Sequence, residues 1–169
     1  GLGHAVWCAR RLVGNEPFAV ILPDDIIAAE KPCLQQMVEA FEQNPGNMVA
    51  AMEVPKDRAS SYGVLDIKED HGSLVSVKGM VEKPAQIFKN LNAKQTGAGG
   101  EIQLTDAIAQ EIAEDRPVYG YRFQGQRFDC GSKSGYLQAT VSFALARPDL
   151  RDDLMSFLQE VVSVDKAAQ

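Results

Sequence analysis

The stretch Phe18-Ala19-Val20-Ile21-Leu22-Pro23-Asp24-Asp25 is the most informative part of this chain for its fold class. Its apolar residues run uninterrupted to a proline, which is typical of a strand buried on both faces inside a parallel sheet. Ligands of open α/β sheets bind beyond the carboxyl ends of such strands, where Asp24 and Asp25 would lie. Adjacent carboxylates suit Mg²⁺ and, through it, phosphate. Taken alone, however, Pro-Asp-Asp is better explained as a simple turn.

Composition limits the class of protein. The chain has 169 residues, of which 45% are apolar and 24% charged, as in an ordinary soluble domain. A net charge of -6 without a basic cluster argues against nucleic-acid and membrane-surface partners. Cys8, Cys33 and Cys130 are odd in number and widely spaced, which favours reduced thiols in the cytoplasm over a disulfide framework. With only two histidines, a zinc site is not expected.

Strand-like and helix-like patterns alternate along the chain. Alternating elements with one added hairpin predict a three-layer αβα fold with a mixed, mostly parallel central sheet. The C-terminal helices are expected over about residues 133–163. The predicted helices are 4–12, 34–41, 104–112, 137–145 and 154–161, and the predicted strands are 18–22, 48–52, 62–67, 74–77 and 118–123.

Several separated motifs resemble one family when they are taken together and in order. The chain is similar to bacterial-type UTP–glucose-1-phosphate uridylyltransferases over nearly its whole length. Each motif is weak alone, and their joint order carries the resemblance. The motifs are Gly1-Leu2-Gly3-His4-Ala5-Val6, Leu22-Pro23-Asp24-Asp25, Ser61-Tyr62-Gly63-Val64, Val81-Glu82-Lys83-Pro84, Gly99-Gly100-Glu101-Ile102-Gln103-Leu104-Thr105-Asp106 and Phe128-Asp129-Cys130-Gly131.

The resemblance implies an activity, a fold and partners. Members of this family have a mixed αβα sheet of the nucleotide-diphospho-sugar transferase type, related to the Rossmann fold. They make UDP-glucose and pyrophosphate from UTP and glucose 1-phosphate with Mg²⁺, and they often form dimers or tetramers. A dTDP- or CDP-glucose type of nucleotidyltransferase, or a non-catalytic assembly subunit, are the alternatives.

The chain also departs from the family pattern. We expect residues 1–169 to be the central and C-terminal part of one nucleotidyltransferase domain. From the resemblance we expect that residues 1–169 lack the family's N-terminal nucleotide-binding loop, which would precede Gly1, and a strand segment that would follow Pro84. No G-x-G-x-x-G or Walker-type loop occurs in the sequence to take the place of that loop.

The resemblance further implies a role for particular residues. Asp24 and Asp129 correspond to magnesium ligands, whereas a structural cap is at least as good an explanation for Asp25. Lys83 would hold the phosphate of glucose 1-phosphate as a point charge. Tyr62, Gly63 and Glu82 would contact the sugar, and Gly3 would belong to the loop beside the nucleobase. Without the family match, Asp129 would be interpreted as a polar residue at the end of an edge strand, and Glu82-Lys83-Pro84 as an exposed charged turn. Gly63 would be interpreted as a bulge at the start of a hairpin strand, which is compatible with a contact to the sugar.

Overall fold

The structure is a computed structural model, and it describes residues 2–82 and 104–167. Helices and strands alternate as the sequence predicts, and each predicted helix is present. The elements are α1 (Leu2–Val13), β1 (Asp25–Ala28), α2 (Cys33–Gln43), β2 (Asn47–Ala51), a 3₁₀ helix (Lys56–Ser61), β3 (Gly63–His71), β4 (Leu74–Glu82), α3 (Leu104–Ala113), β5 (Val118–Arg122), β6 (Gln126–Asp129), α4 (Lys133–Ala146) and α5 (Pro148–Ala167).

The chain divides into two compact units. The first comprises Gly1–Val20 and Cys33–Gln124, and the second comprises Ile21–Pro32 and Gly125–Gln169. The first unit contains a four-stranded sheet in the order β2-β5-β4-β3. Strands β2 and β5 are parallel, whereas β4 is antiparallel to both of its neighbours. The fold is therefore mixed α/β, as predicted.

The core of the first unit forms where α3 packs on the sheet. Val75 and Val77 of β4 and Val118 of β5 are buried, and Ile108 and Ile112 of α3 pack against them. Ile108 and Ile112 are one helical turn apart, so one face of α3 covers the sheet. This confirms the apolar face that the sequence predicts for the helix.

The second unit is built from one strand pair and two helices. Strands β1 and β6 pair antiparallel over their whole length. Phe128 of β6 is buried, and its ring lies 6.2 Å from the ring of Phe143 in α4, centroid to centroid, with the planes tilted by 55°. Edge contacts of this kind stabilise the packing of a helix on a strand beyond the buried area alone. Helix α5 continues from α4 after Arg147 and packs against it.

Two strand predictions are wrong. Residues 18–22 form no strand, and Phe18 and Ile21 are 57% and 67% exposed. A strand needs a neighbour for its backbone hydrogen bonds, and no strand among residues 2–82 and 104–167 pairs with this segment. The mostly parallel pairing also fails for the described strands, because β2–β5 is the parallel pair and the other pairs are antiparallel.

The structure also bears on membrane-spanning helices and on the cysteines. None of the helices in the described ranges combines the length and the apolarity that crossing a membrane requires. The thiols of Cys8, Cys33 and Cys130 are free, and Cys130 is partly exposed. Burial raises the pKa of the Cys33 thiol, so its reactive thiolate is disfavoured.

Candidate active site

Asp24 and Asp129 meet at the end of the β1–β6 pair. Asp24 lies in the turn before β1, and Asp129 is the last residue of β6. The Cys130 amide donates to the Asp24 carbonyl oxygen at 2.7 Å, which ties the two segments together. An ideal Cβ on Gly131 would lie 3.1 Å from Asp24 Oδ2 and 3.2 Å from Asp129 Oδ1. Both carboxylates therefore border the same small space, which is left open because Gly131 has no side chain.

The start of α4 fixes Asp129 from behind. The Ser132 amide and hydroxyl both donate to the Asp129 carbonyl oxygen, at 3.2 and 3.0 Å. The Ser132 hydroxyl also accepts from the Gly135 amide at 3.0 Å, which makes Ser132 the N-cap of α4. The Gly131 amide donates to Asp129 Oδ1 at 3.1 Å. Strand end, cap and helix thus form one hydrogen-bonded unit around this aspartate.

Asp25 has a different partner from its neighbour Asp24. Arg127 Nε donates to Asp25 Oδ1 at 2.6 Å, and Arg127 Nη2 contacts the same oxygen. The two side chains are only 19% and 33% exposed. Asp25 therefore has a structural role, as the sequence analysis allowed. It forms an ion pair with Arg127 and does not cap the turn. Arg127 has no assigned role in the sequence analysis, although its position two residues before Asp129 was a usable signal.

The candidate sugar-contacting residues lie in the first unit. Gly63 and Glu82 are directly opposed in the β3–β4 pair, and half-buried Tyr62 immediately precedes Gly63. The irregular register of this hairpin falls between Asp66 and Glu69, so Gly63 is not the bulge. The structure thus brings together Tyr62, Gly63 and the backbone of Glu82. Lys83 lies outside the described residues.

The sequence predicts that Gly3 lies in a loop, and this prediction is wrong. Gly3 lies inside helix α1, where it is buried. Residues 2–13 contain no proline and no other glycine, so nothing interrupts the helix after its first turn. The helix ends at Val13. Gly14 follows with a φ of +64°, and its amide donates a hydrogen bond to the Arg10 carbonyl oxygen at 3.0 Å, which is typical of a left-handed C-terminal cap. His4 is exposed on this helix beside Cys8.

The donor set at Asp24 and Asp129 fits a magnesium ion. Mg²⁺ is usually bound by one or two carboxylates, with waters and substrate phosphates completing its coordination. No group of three or more Asp, Glu, His or Cys side chains within the described ranges could hold a metal. An open depression of the surface lies beside Asp129, at the residues that follow it in the chain. It is lined by Cys130, Gly131, Ser132, Lys133, Tyr136 and Leu137.

Comparisons with known proteins agree with this architecture. The family model described as "Nucleotidyl transferase" matches residues 1–94. A UTP–glucose-1-phosphate uridylyltransferase of Komagataeibacter xylinus is 46% identical over 151 residues, which are 79% of this chain and 53% of the relative. The chain thus spans about half the length of this relative.

The chain also resembles solved structures, two of which follow. A UTP-bound UGPase from Acinetobacter baumannii has a TM-score of 0.77 and 33% identity, and the match covers 96% of this chain and 61% of the other. A UDP-glucose pyrophosphorylase complexed with UDP-glucose has a TM-score of 0.75 and 35% identity, covering 87% of this chain and 63% of the other. The chain therefore resembles both of these structures in sequence as well as in fold.

Proposed function

Because the chain belongs to the nucleotidyl transferase family, we propose that the complete protein transfers a uridylyl group from UTP to glucose 1-phosphate. The products are UDP-glucose and pyrophosphate. The names of the K. xylinus relative and of the two solved structures support this assignment. The observation within the chain that carries it is the meeting of Asp24 and Asp129 around one small space.

The reaction itself requires little proton chemistry. A phosphate oxygen of glucose 1-phosphate attacks the α-phosphorus of UTP, in line with the departing pyrophosphate. This oxygen is already ionised near neutral pH, so no general base has to activate it. The barrier comes from bringing two highly charged anions together, which makes positioning and charge neutralisation the main tasks of the protein.

Asp24 and Asp129 would hold the Mg²⁺ ion at the end of the β1–β6 pair. When bound, this ion supplies the positive charge that offsets the repulsion between the phosphates. The protein's own contribution is orientation. Backbone hydrogen bonds from Cys130 and Ser132 fix where the two aspartates lie, so their carboxylates need little rearrangement.

The sugar phosphate is assigned to residues of the β3–β4 hairpin. Lys83 would hold the phosphate as a point charge, and Glu82 would accept hydrogen bonds from sugar hydroxyls. Gly63, opposite Glu82, has no side chain and would let the sugar approach the backbone closely, next to Tyr62. Gly3, at the start of α1, is assigned to the neighbourhood of the nucleobase on the resemblance alone.

The assignment is tested by substitution in the complete protein. We expect Asp24→Ala and Asp129→Ala to abolish magnesium-supported formation of UDP-glucose, and Lys83→Ala to lower turnover by at least about a hundredfold. Asp57→Ala, which changes an exposed aspartate of the 3₁₀ helix, is the matched control and should leave turnover unchanged. Near-normal rates in the three site variants would contradict the proposal.

The choice of base is tested by a panel of nucleoside triphosphates with glucose 1-phosphate. We expect UTP to be preferred over dTTP and CTP. Preference for another base would move the protein to another type of sugar-1-phosphate nucleotidyltransferase. Absence of product with every triphosphate, from a protein that contains all of its segments, would favour a non-catalytic subunit.

We also assign a cytoplasmic location and a homodimer or homotetramer. The free thiols support a reducing compartment. Leu150, Phe157 and Val161 lie on one face of α5 at helical spacing and are all exposed, with Phe157 59% and Val161 48% exposed. A continuous apolar stripe of this kind is typical of a surface that another subunit covers. A second copy of the chain is the partner that we propose for it.

A further inference from the structure

Three aspartates lie close together at one end of the β1–β6 pair. Asp25 and Asp129 are directly opposed across the pair, and Asp24 immediately precedes Asp25. Like charges that face each other across an antiparallel pair destabilise it. Here the opposed carboxylates also lie next to Asp24, whose own carboxylate approaches that of Asp129. A cation close to these carboxylates would offset that repulsion.

Among the residues that the structure describes, Arg127 places a cation against one of these carboxylates. It lies two residues before Asp129, so both side chains belong to the same face of β6, the face that Asp25 shares. Its Nε donates to Asp25 Oδ1 at 2.6 Å, and its Nη2 contacts the same oxygen. Because both side chains are largely removed from solvent, their attraction is screened less than that of a surface ion pair.

We propose that Arg127 is a positioning residue that sets the charge and the ligand count of the candidate metal site. By pairing with Asp25, it withdraws that carboxylate and leaves Asp24 and Asp129 to face the cation. This inference rests on the proposed metal site and extends it. Two carboxylates suit Mg²⁺, which completes its coordination with waters and substrate phosphates, whereas a third free carboxylate would favour Ca²⁺, which takes more oxygen ligands.

The pair can be tested by a double-mutant cycle in which the two single changes have opposite signs. The measured quantity is the affinity of the complete protein for Mn²⁺ without substrates. Electron paramagnetic resonance detects the Mn²⁺, and Ca²⁺ is added as a competitor. Arg127→Gln releases Asp25, so we expect Mn²⁺ to bind roughly three- to tenfold more tightly and Ca²⁺ to compete better. Asp25→Asn leaves Arg127 without this partner, so Mn²⁺ should bind more weakly by a similar factor, about three- to tenfold.

The double variant Asp25→Asn/Arg127→Gln restores the charge balance and should return Mn²⁺ affinity to within about twofold of the unmodified protein. Arg127→Lys keeps the positive charge, so its Mn²⁺ affinity should also stay close to that of the unmodified protein. If both single variants shift the affinity in the same direction, or if the double variant is as impaired as the worse single variant, Arg127 only holds the strands together and the inference is wrong.

Asp24→Asn separates this inference from the proposed function. Loss of Mn²⁺ binding in Asp24→Asn, together with the opposite shifts above, supports both proposals. Mn²⁺ binding that does not depend on Asp24 overturns the metal site and the role of Arg127 together. Binding that depends on Asp24 but is unaffected by both Arg127→Gln and Asp25→Asn overturns the role of Arg127 alone. Thermal unfolding of each variant shows whether the fold is intact.

Discussion

Gly135 determines how closely helix α4 approaches Asp129. An ideal Cβ at this position would lie 2.0 Å from the Asp129 carbonyl oxygen and 2.7 Å from its carbonyl carbon. Both are backbone atoms, so they cannot rotate away as a side chain would. The same glycine donates its amide to the N-cap Ser132. A residue without a side chain is therefore required at the third position of this helix.

We predict that Gly135→Ala destabilises the protein by about 3 kcal/mol, the upper part of the range for overpacked sites. The added methyl group must push α4 away from the strand end that carries Asp129. Thermal or denaturant unfolding measures the loss. Gly79→Ala is the control, because its Cβ would meet Asp66 Cβ at an ordinary 3.4 Å. Equal stability of the two variants would show that α4 can shift without cost.

At the scale of elements, Gln36 connects helix α2 to the segment that follows β5. Its side-chain amide donates to the Gln124 carbonyl oxygen at 2.8 Å, and its side-chain carbonyl accepts from the Gln124 amide at 2.9 Å. Gln36 is buried, with 6% of its surface exposed. The two bonds satisfy both backbone groups of Gln124, much as a neighbouring strand would.

We predict that Gln36→Ala lowers the free energy of unfolding by about 1–3 kcal/mol, because Gln124 would lose the partners of its amide and carbonyl groups. The adjacent Gln35 is an exposed residue of the same helix. Its side-chain amide donates a hydrogen bond to Glu39, one turn further along that helix. Gln35→Ala should therefore change stability by less than about 0.5 kcal/mol. Chemical denaturation of both variants provides the comparison.

An arginine on β5 holds the turn of the β3–β4 hairpin. Arg122 Nη1 and Nη2 donate to the two carboxylate oxygens of Asp70 at 2.7 and 2.9 Å, and the Arg122 amide donates to the Ser73 carbonyl at 2.7 Å. The hydrogen bond from Arg122, with a further one from the Gly72 amide, lowers the pKa of Asp70 to about 2. The charged form of Asp70 thus stabilises the folded hairpin.

This pKa predicts a specific loss of stability in acid. Because the folded-state pKa lies below the unfolded value of about 4, the contribution of Asp70 is complete above that value and disappears as the pH falls towards 2. We expect Asp70→Asn to lower the melting temperature near pH 6 and to flatten its fall between about pH 4 and 2. Glu69→Gln, at the neighbouring exposed position, is the control. An unchanged acid profile in Asp70→Asn would contradict the role of the pair.

At the scale of the whole molecule, the exposed stripe on α5 makes the oligomeric state a testable property. We predict that Phe157→Glu/Val161→Glu shifts the complete protein from an oligomer to a monomer, since two buried carboxylates without partners would oppose association. Light scattering coupled to size-exclusion chromatography measures the mass. Gln159→Glu, on the opposite face of the same helix, should leave it unchanged. An unchanged mass in the double variant would mean that another surface, or none, mediates assembly.

The helices follow from the sequence because their signals are local. Ile108 and Ile112 in α3 show an apolar spacing that requires only that one face be covered. The segment 18–22 shows the opposite case. Its apolar run predicts a strand, yet a strand exists only where a second one supplies hydrogen bonds, and that condition is not encoded in the run itself.

The sequence by itself determined the mixed α/β class and the helices, and its ordered motifs predicted that Asp24 and Asp129 lie close together. Only the tertiary structure decided that Asp25 pairs with Arg127, that Gly131 leaves open the space between Asp24 and Asp129, and that Gly135 lets α4 approach the Asp129 backbone. The physical reason is distance along the chain. Periodicity reports what a residue's near neighbours require, whereas a charge pair or a missing Cβ acquires its meaning from atoms that folding brings close.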